Sequence, residues 1–148
     1  MFILRGRPVA DITCIMEPQI NAITIAAQDI KSLKLFYSQV MEWRILSQND
    51  KVVMFRLNNT VLTLCAEDVF AEYSGMQPIN SEEKHFYLTV NLDSPKRVDQ
   101  TLQKLAALNV DIIRMPKKAF WGGYSGFFAD PEGNRWEVCY NPVPNTII

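Results

Sequence analysis

The chain has 148 residues, 48% of them hydrophobic and 21% charged, and a net charge of −1. That length suits one domain, or two small halves sharing one core, and buries about two thirds of the unfolded surface, so no disulfide or metal is needed for folding. The near-neutral charge, with Lys and Arg scattered, excludes a basic stripe for nucleic acid, and no apolar run approaches the roughly 18 residues of a membrane helix.

Residues 1–17 open with "MFILRGRPVADITCIM", too short and too interrupted by Arg5, Gly6, Arg7 and Pro8 for a signal peptide. They are read as an N-terminal extension, an added edge strand or interface arm, with Met16 as a second candidate start. Cys14, Cys65 and Cys139 form an odd set without CxxC spacing, which fits buried free thiols in a reducing compartment. A cytoplasmic protein is expected.

A strand-like run, "INAITIAAQ", then leads into "DIKSLKLFYSQVMEW", whose apolar residues Ile30, Leu33, Phe36 and Val40 recur at helical spacing. Asp29 is placed to cap that helix. Three further strand-like runs follow: "WRILSQ", with Trp43 opening it, "KVVMFRL" and "TVLTLCAE". Asn49-Asp50 and Asn58-Asn59 mark the turns between them. A polar stretch broken by Gly75 and Pro78 separates this unit (18–72) from the next and is read as a linker over 73–83.

The second unit (84–142) repeats the order. "HFYLTVNL" precedes "DSPKRVDQTLQKLAALNV", in which Val98, Leu102 and Leu105 form a helical stripe. Asp93 or Ser94 can cap it, with Pro95 in the first turn where proline is tolerated. "VDIIRM", "SGFFAD" and "RWEVCY" complete the unit, and residues 143–148 form a tail. The pattern is β-α-β-β-β twice, with Asp29 and Asp93 about 64 residues apart, one supersecondary unit used two times.

Two such modules, a helix carrying Phe36-Tyr37 and a final "FADPEGNRWEVCYNP" hairpin resemble the vicinal oxygen chelate superfamily of glyoxalases, bleomycin-resistance proteins and extradiol dioxygenases. The likeness runs over about residues 18–142. It implies an α+β fold in which paired βαβββ modules form a curled mixed sheet around a cleft, with the helices outside. It also implies a homodimer.

Side chains alternate along a strand, so register decides which residues meet the cleft. In "RWEVCY", Trp136, Val138 and Tyr140 are expected against the helices, with Glu137 and Cys139 on the cleft side. In "HFYLTV", Phe86, Leu88 and Val90 are expected inward, with His85, Tyr87 and Thr89 on the cleft side. A carboxylate inside an apolar strand needs a partner, and Glu137 can find one in His85, in Tyr87 or in an arginine.

Metal-dependent members of the resembled superfamily place one ligand on the first strand and one on the last strand of each module. His85 and Glu137 match those positions in the second module and are the metal candidates. In the first module the positions fall on Ala22, beside Asn21, and on Leu62 or Thr63, none of which replaces a carboxylate or imidazole. No metal or other cofactor is therefore expected. His85 with Glu137 could still work as a metal-free acid–base pair, the tentative catalytic assignment.

Trp121, in the loop Phe120-Trp121-Gly122-Gly123-Tyr124, and Tyr124 are read as walls of a ligand cavity or as loop packing. Tyr87, Thr89, Cys139 and Thr63 complete the expected ligand-binding set. Asp130-Pro131-Glu132-Gly133 reads as turn chemistry. The resulting expectation is a small-molecule-binding protein without a catalytic metal, its ligand partly aromatic or cationic. The alternative is a metal-dependent lyase, isomerase or dioxygenase of the same superfamily.

Overall fold

The computed structural model describes residues 16, 18–76 and 86–143. The N-terminal extension apart from Met16, most of the linker, His85 and residues 144–148 lie outside the described residues.

Each half forms its own four-stranded mixed sheet. The first holds β1 (Ala22–Ala27), β2 (Ile45–Gln48), β3 (Val52–Arg56) and β4 (Val61–Ala66) in the order β1-β4-β3-β2. The second holds β5 (Tyr87–Leu92), β6 (Asp111–Lys118), β7 (Tyr124–Ala129) and β8 (Arg135–Tyr140) in the order β5-β8-β7-β6. In both, the first strand runs parallel to the last and the other pairs are antiparallel. Neither sheet closes into a barrel, and the expected α+β fold with two β-α-β-β-β modules stands.

The helices obey the expected caps. In α1 (Ile30–Leu35), the Asp29 carboxylate accepts from the Ser32 N–H at 3.1 Å. The helix then loosens into a π-helical turn over Phe36–Val40, where the Met41 N–H donates to the Phe36 carbonyl five residues back. Phe36 and Tyr37 are both buried there. The chain leaves through Glu42, which takes a left-handed φ of 56°. In α3 (Pro95–Ala107), Ser94 rather than Asp93 is the cap, accepting from the Arg97 N–H at 3.3 Å.

One helix was not foreseen. In α2 (Glu67–Ser74), Ala66 takes the N-cap position without a capping side chain, and left-handed Gly75 ends it. Glu67 and Asp68 in its first turn favour the positive end of the helix dipole. Lys51 on the β2–β3 turn also reaches Asp68 at 2.7 Å. The helix packs against β4 and β1, which holds a segment too short to be stable alone.

A single buried cluster joins the halves. Ile25, Leu33, Phe36, Tyr37, Val53, Phe55, Leu62 and Leu64 from the first module meet Val98, Leu102, Leu105, Phe128, Trp136 and Val138 from the second. Tyr37 is at its centre, stacked on Trp43 at 5.5 Å and edge-on to Trp136 at 6.1 Å. Trp43 therefore packs ahead of β2 instead of opening it.

The final hairpin does more than turn the chain. Gly133 takes the left-handed φ of 80° that the turn requires, and its N–H donates to the Asp130 carbonyl at 3.0 Å. The buried Asp130 carboxylate accepts from the Glu132 and Asn134 N–H groups, both at 2.9 Å, from Asn134 Nδ2 at 2.8 Å and from the Tyr37 hydroxyl at 2.7 Å. The Glu132 carboxylate accepts from the backbone N–H groups of Gln28 and Asp29 at 2.7 and 3.0 Å. Both contacts reach from the second module into the first.

Candidate functional site

The parallel pairing of first and last strands fixes the faces. In the second sheet, Leu88, Val90, Trp136, Val138 and Phe128 turn toward α3 and the core. The opposite face carries Tyr87, Thr89, Glu137, Cys139, Ser125 and Phe127, since Thr89 and Phe127 are the register partners of Glu137, and Ser125 is that of Cys139. The expected parity of β5 and β8 holds from Tyr87 onward. Phe86 precedes the strand and is exposed instead of packing inward.

Glu137 is only 9% exposed. Its Oε2 accepts from the Thr89 hydroxyl at 2.9 Å, a partner the sequence did not suggest; among the described residues neither Tyr87 nor an arginine bonds to it, and His85 lies outside them. Register explains this, because Thr89 is the residue that β5 sets beside Glu137. Among the described residues the other oxygen, Oε1, accepts no hydrogen bond.

Aromatic and basic side chains flank the carboxylate. Tyr87, half exposed, meets Phe127 edge-on with ring centroids 5.1 Å apart. On β6, Arg114 pairs in register with Phe127 and sets its guanidinium 5.2 Å over that ring. Arg114 Nη1 and Nη2 donate to the Ser125 carbonyl and hydroxyl at 2.9 and 3.0 Å. A row thus crosses all four strands: Thr89, Glu137, Phe127, Arg114.

Arg114 and Phe127 were absent from the sequence-based site. The alternation in β6 is broken by register shifts on either side of Arg114, which hides its facing. A signal was there in principle: an arginine in the middle of "DIIRMP" is as unexpected in an apolar strand as Glu137 is in β8.

Cys139 shares the face but is buried, and burial together with the Glu137 charge pushes its thiol up to about 11. It stays protonated near neutral pH and serves as packing, not as a nucleophile. Tyr124 stands on the other side of its sheet. Its hydroxyl donates to Asp99 on α3 at 2.6 Å, and that bond to a carboxylate raises its pKa. Trp121 folds back on its own hairpin, where a Cβ on Gly123 would overlap the indole. Neither residue joins the Glu137 row.

The first sheet offers a counterpart to each position. β1 and β5 are both six residues long, as are β4 and β8. Matching them end to end equates Ala22 with Tyr87, two residues on from the His85 that the sequence pattern set against it, Thr24 with Thr89, and Thr63 with Glu137. The open choice between Leu62 and Thr63 resolves to Thr63, because Leu62 is fully buried on the core face.

The equivalent central positions therefore hold Thr24 and Thr63 in the first sheet and Thr89 and Glu137 in the second: three neutral hydroxyls and one carboxylate. Of these four, Glu137 alone offers the kind of donor a tightly held divalent cation takes. Among the described residues no three His, Cys, Asp or Glu side chains gather as a metal's donors would. His85 lies outside the described residues. A cavity of about 200 Å³ opens on the helix side of the second sheet, lined in part by Met41, Leu92, Leu105, Phe128 and Val138. It contains no side chain of the Glu137 row.

Residues 19–138 match the family profile of the Glyoxalase/Bleomycin resistance protein/Dioxygenase superfamily. The chain belongs to that superfamily. Within it, a glyoxalase-related enzyme from Fulvimarina pelagi is 25% identical, with a TM-score of 0.76 over 85% of this chain and 90% of that one. A glyoxalase/bleomycin resistance protein/dioxygenase from Nocardioides is 19% identical, with a TM-score of 0.78 over 94% and 95% of the two chains. The fosfomycin resistance protein of Listeria monocytogenes is 16% identical, with a TM-score of 0.68 over 86% and 97%. The last two likenesses concern the fold alone. The superfamily's name covers enzymes and a resistance protein together, so membership leaves chemistry to the site. No helix among the described residues is long and apolar enough to cross a membrane.

Proposed function

We propose that this member of the superfamily binds a small, partly aromatic molecule on the helix-free face of its second sheet and does so without a catalytic metal. One observation carries the reading. Glu137, at the strand centre, is bonded by a threonine hydroxyl and flanked by Tyr87 and Phe127, and its counterpart in the first sheet is Thr63. A carboxylate held this way, with Oε1 unbonded by any described residue, orients a ligand N–H or O–H. Aromatic walls with few polar groups suit a small organic molecule. The same reading takes the protein as a cytoplasmic homodimer, in keeping with the free, buried Cys65 and Cys139.

A second reading, a metal-dependent lyase, isomerase or dioxygenase, draws on the same buried Glu137 as ligand or base. Protein purified without chelator separates the two by metal analysis and native mass spectrometry. The binding reading expects a co-purified or titratable organic ligand and metal well below one equivalent. It also expects Thr89→Val and Glu137→Gln to weaken ligand binding. Stoichiometric divalent metal lost in Glu137→Gln overturns it in favour of the enzyme.

A further inference from the structure

Among the described residues, two charges on the Glu137 face have no counter-charge. The ion pairs among the described residues are Lys51–Asp68 and Arg97–Asp93, both on the exposed surface. Among the described residues the buried Glu137 has one hydroxyl as its partner, and the half-buried Arg114 is held by a carbonyl and a hydroxyl. Two of the five guanidinium N–H donors are used in those bonds, so three remain for another acceptor.

Their placement is as informative as their isolation. Arg114, Phe127 and Glu137 are register partners on three adjacent strands, so the two charged residues stand two strand spacings apart, about 10 Å between backbones. The ring of Phe127 lies between them, with Arg114 over it and Tyr87 against its edge. A buried charge costs free energy unless an opposite charge meets it. The two charges flank an aromatic floor and do not neutralise each other.

We infer that the ligand is a zwitterion: a protonated amine or similar cation at Glu137, an acid group at Arg114, and a flat apolar body across Phe127. This rests on the binding reading above and specifies its ligand class. Such a molecule satisfies both poles at once, whereas a singly charged one leaves the other pole unmatched. Arg114 is then a specificity residue for the acid end, where its planar fork suits a carboxylate or phosphonate.

The test is calorimetric titration with four probes built on one benzene ring: 4-(aminomethyl)benzoate, benzylamine, benzoate and the neutral 4-methylbenzamide. The zwitterion is expected to bind about tenfold or more tighter than either half. Arg114→Gln should lose about that factor for the zwitterion and benzoate while leaving benzylamine unchanged. Glu137→Gln should lose it for the zwitterion and benzylamine only. Arg114→Lys, which keeps the charge, should retain part of the acid-end affinity, and circular dichroism confirms that each variant is folded. Equal affinity for the zwitterion, benzylamine and the amide, with Arg114→Gln silent, overturns the zwitterion inference and leaves small-molecule binding standing. Binding of none of the four by folded protein overturns the inference, and the absence of any co-purified ligand then removes the binding reading as well.

Discussion

The Tyr37 hydroxyl donates to the Asp130 carboxylate at 2.7 Å and accepts from Trp136 Nε1 at 3.0 Å, so one oxygen in the first module's helix satisfies two buried groups of the second module. Burial, and then the negative charge of Asp130, raise its pKa well above the usual tyrosine value, so it is a neutral donor at neutral pH.

Tyr37→Phe removes that oxygen without emptying the ring's place. Asp130 keeps three of its four bonds, but the Trp136 indole N–H is left buried without an acceptor. The expected loss is about 1–3 kcal/mol, or a fall of about 3–10 °C in melting temperature. Urea unfolding should show a lower midpoint with an unchanged slope.

Gly123 is needed for the Trp121 indole to lie on the backbone of its hairpin, where a Cβ would overlap the ring. Gly123→Ala is expected to destabilise by about 1–3 kcal/mol through overpacking. Because the clash is with one side chain, Trp121→Ala should abolish most of that penalty. A double-mutant cycle in thermal denaturation should therefore give a strongly non-additive result.

Much of the fold was legible because its signals are local. Helical stripes, the Asp29 cap and alternating strands each declare themselves within a few residues. Thr63 was left as one of two choices, since it depends on which residue a strand places opposite a neighbour, and a slip of one residue reverses every facing; Ser94 was left beside Asp93 because either side chain can cap a helix start. α2 lacks a capping side chain and takes its stability from β1 and β4, which sequence proximity does not reveal. Arg114 was obscured by irregular pairing in β6, and Tyr124 by lying at a strand start whose facing depends on β8. Glu137 was legible as a residue of interest, but Thr89 as its partner required the register.

The Cys139 thiol gives a dependence on pH. Its ordinary value of 9.0 rises in the fold to about 11, so the native state holds this proton more tightly than the unfolded chain does. The stability it contributes is fully present below pH 9 and is lost as pH rises toward 11. Cys139→Ala should flatten the decline of denaturation midpoints across that interval. Native protein at pH 8 should leave this thiol unreactive toward Ellman's reagent until denaturant is added.

The Glu132 carboxylate meets the backbone of Gln28 and Asp29 at the start of α1, though more than a hundred residues of chain separate them. During synthesis, the first module emerges well before the hairpin that clasps it. Until β8 leaves the ribosome, Tyr37 lacks Asp130 and Trp136, and the apolar flank around Phe36 lacks its cover. The halves look like a tandem repeat but mature as one unit, so a nascent chain halted before Asp130 should be a client for chaperones and not a finished domain.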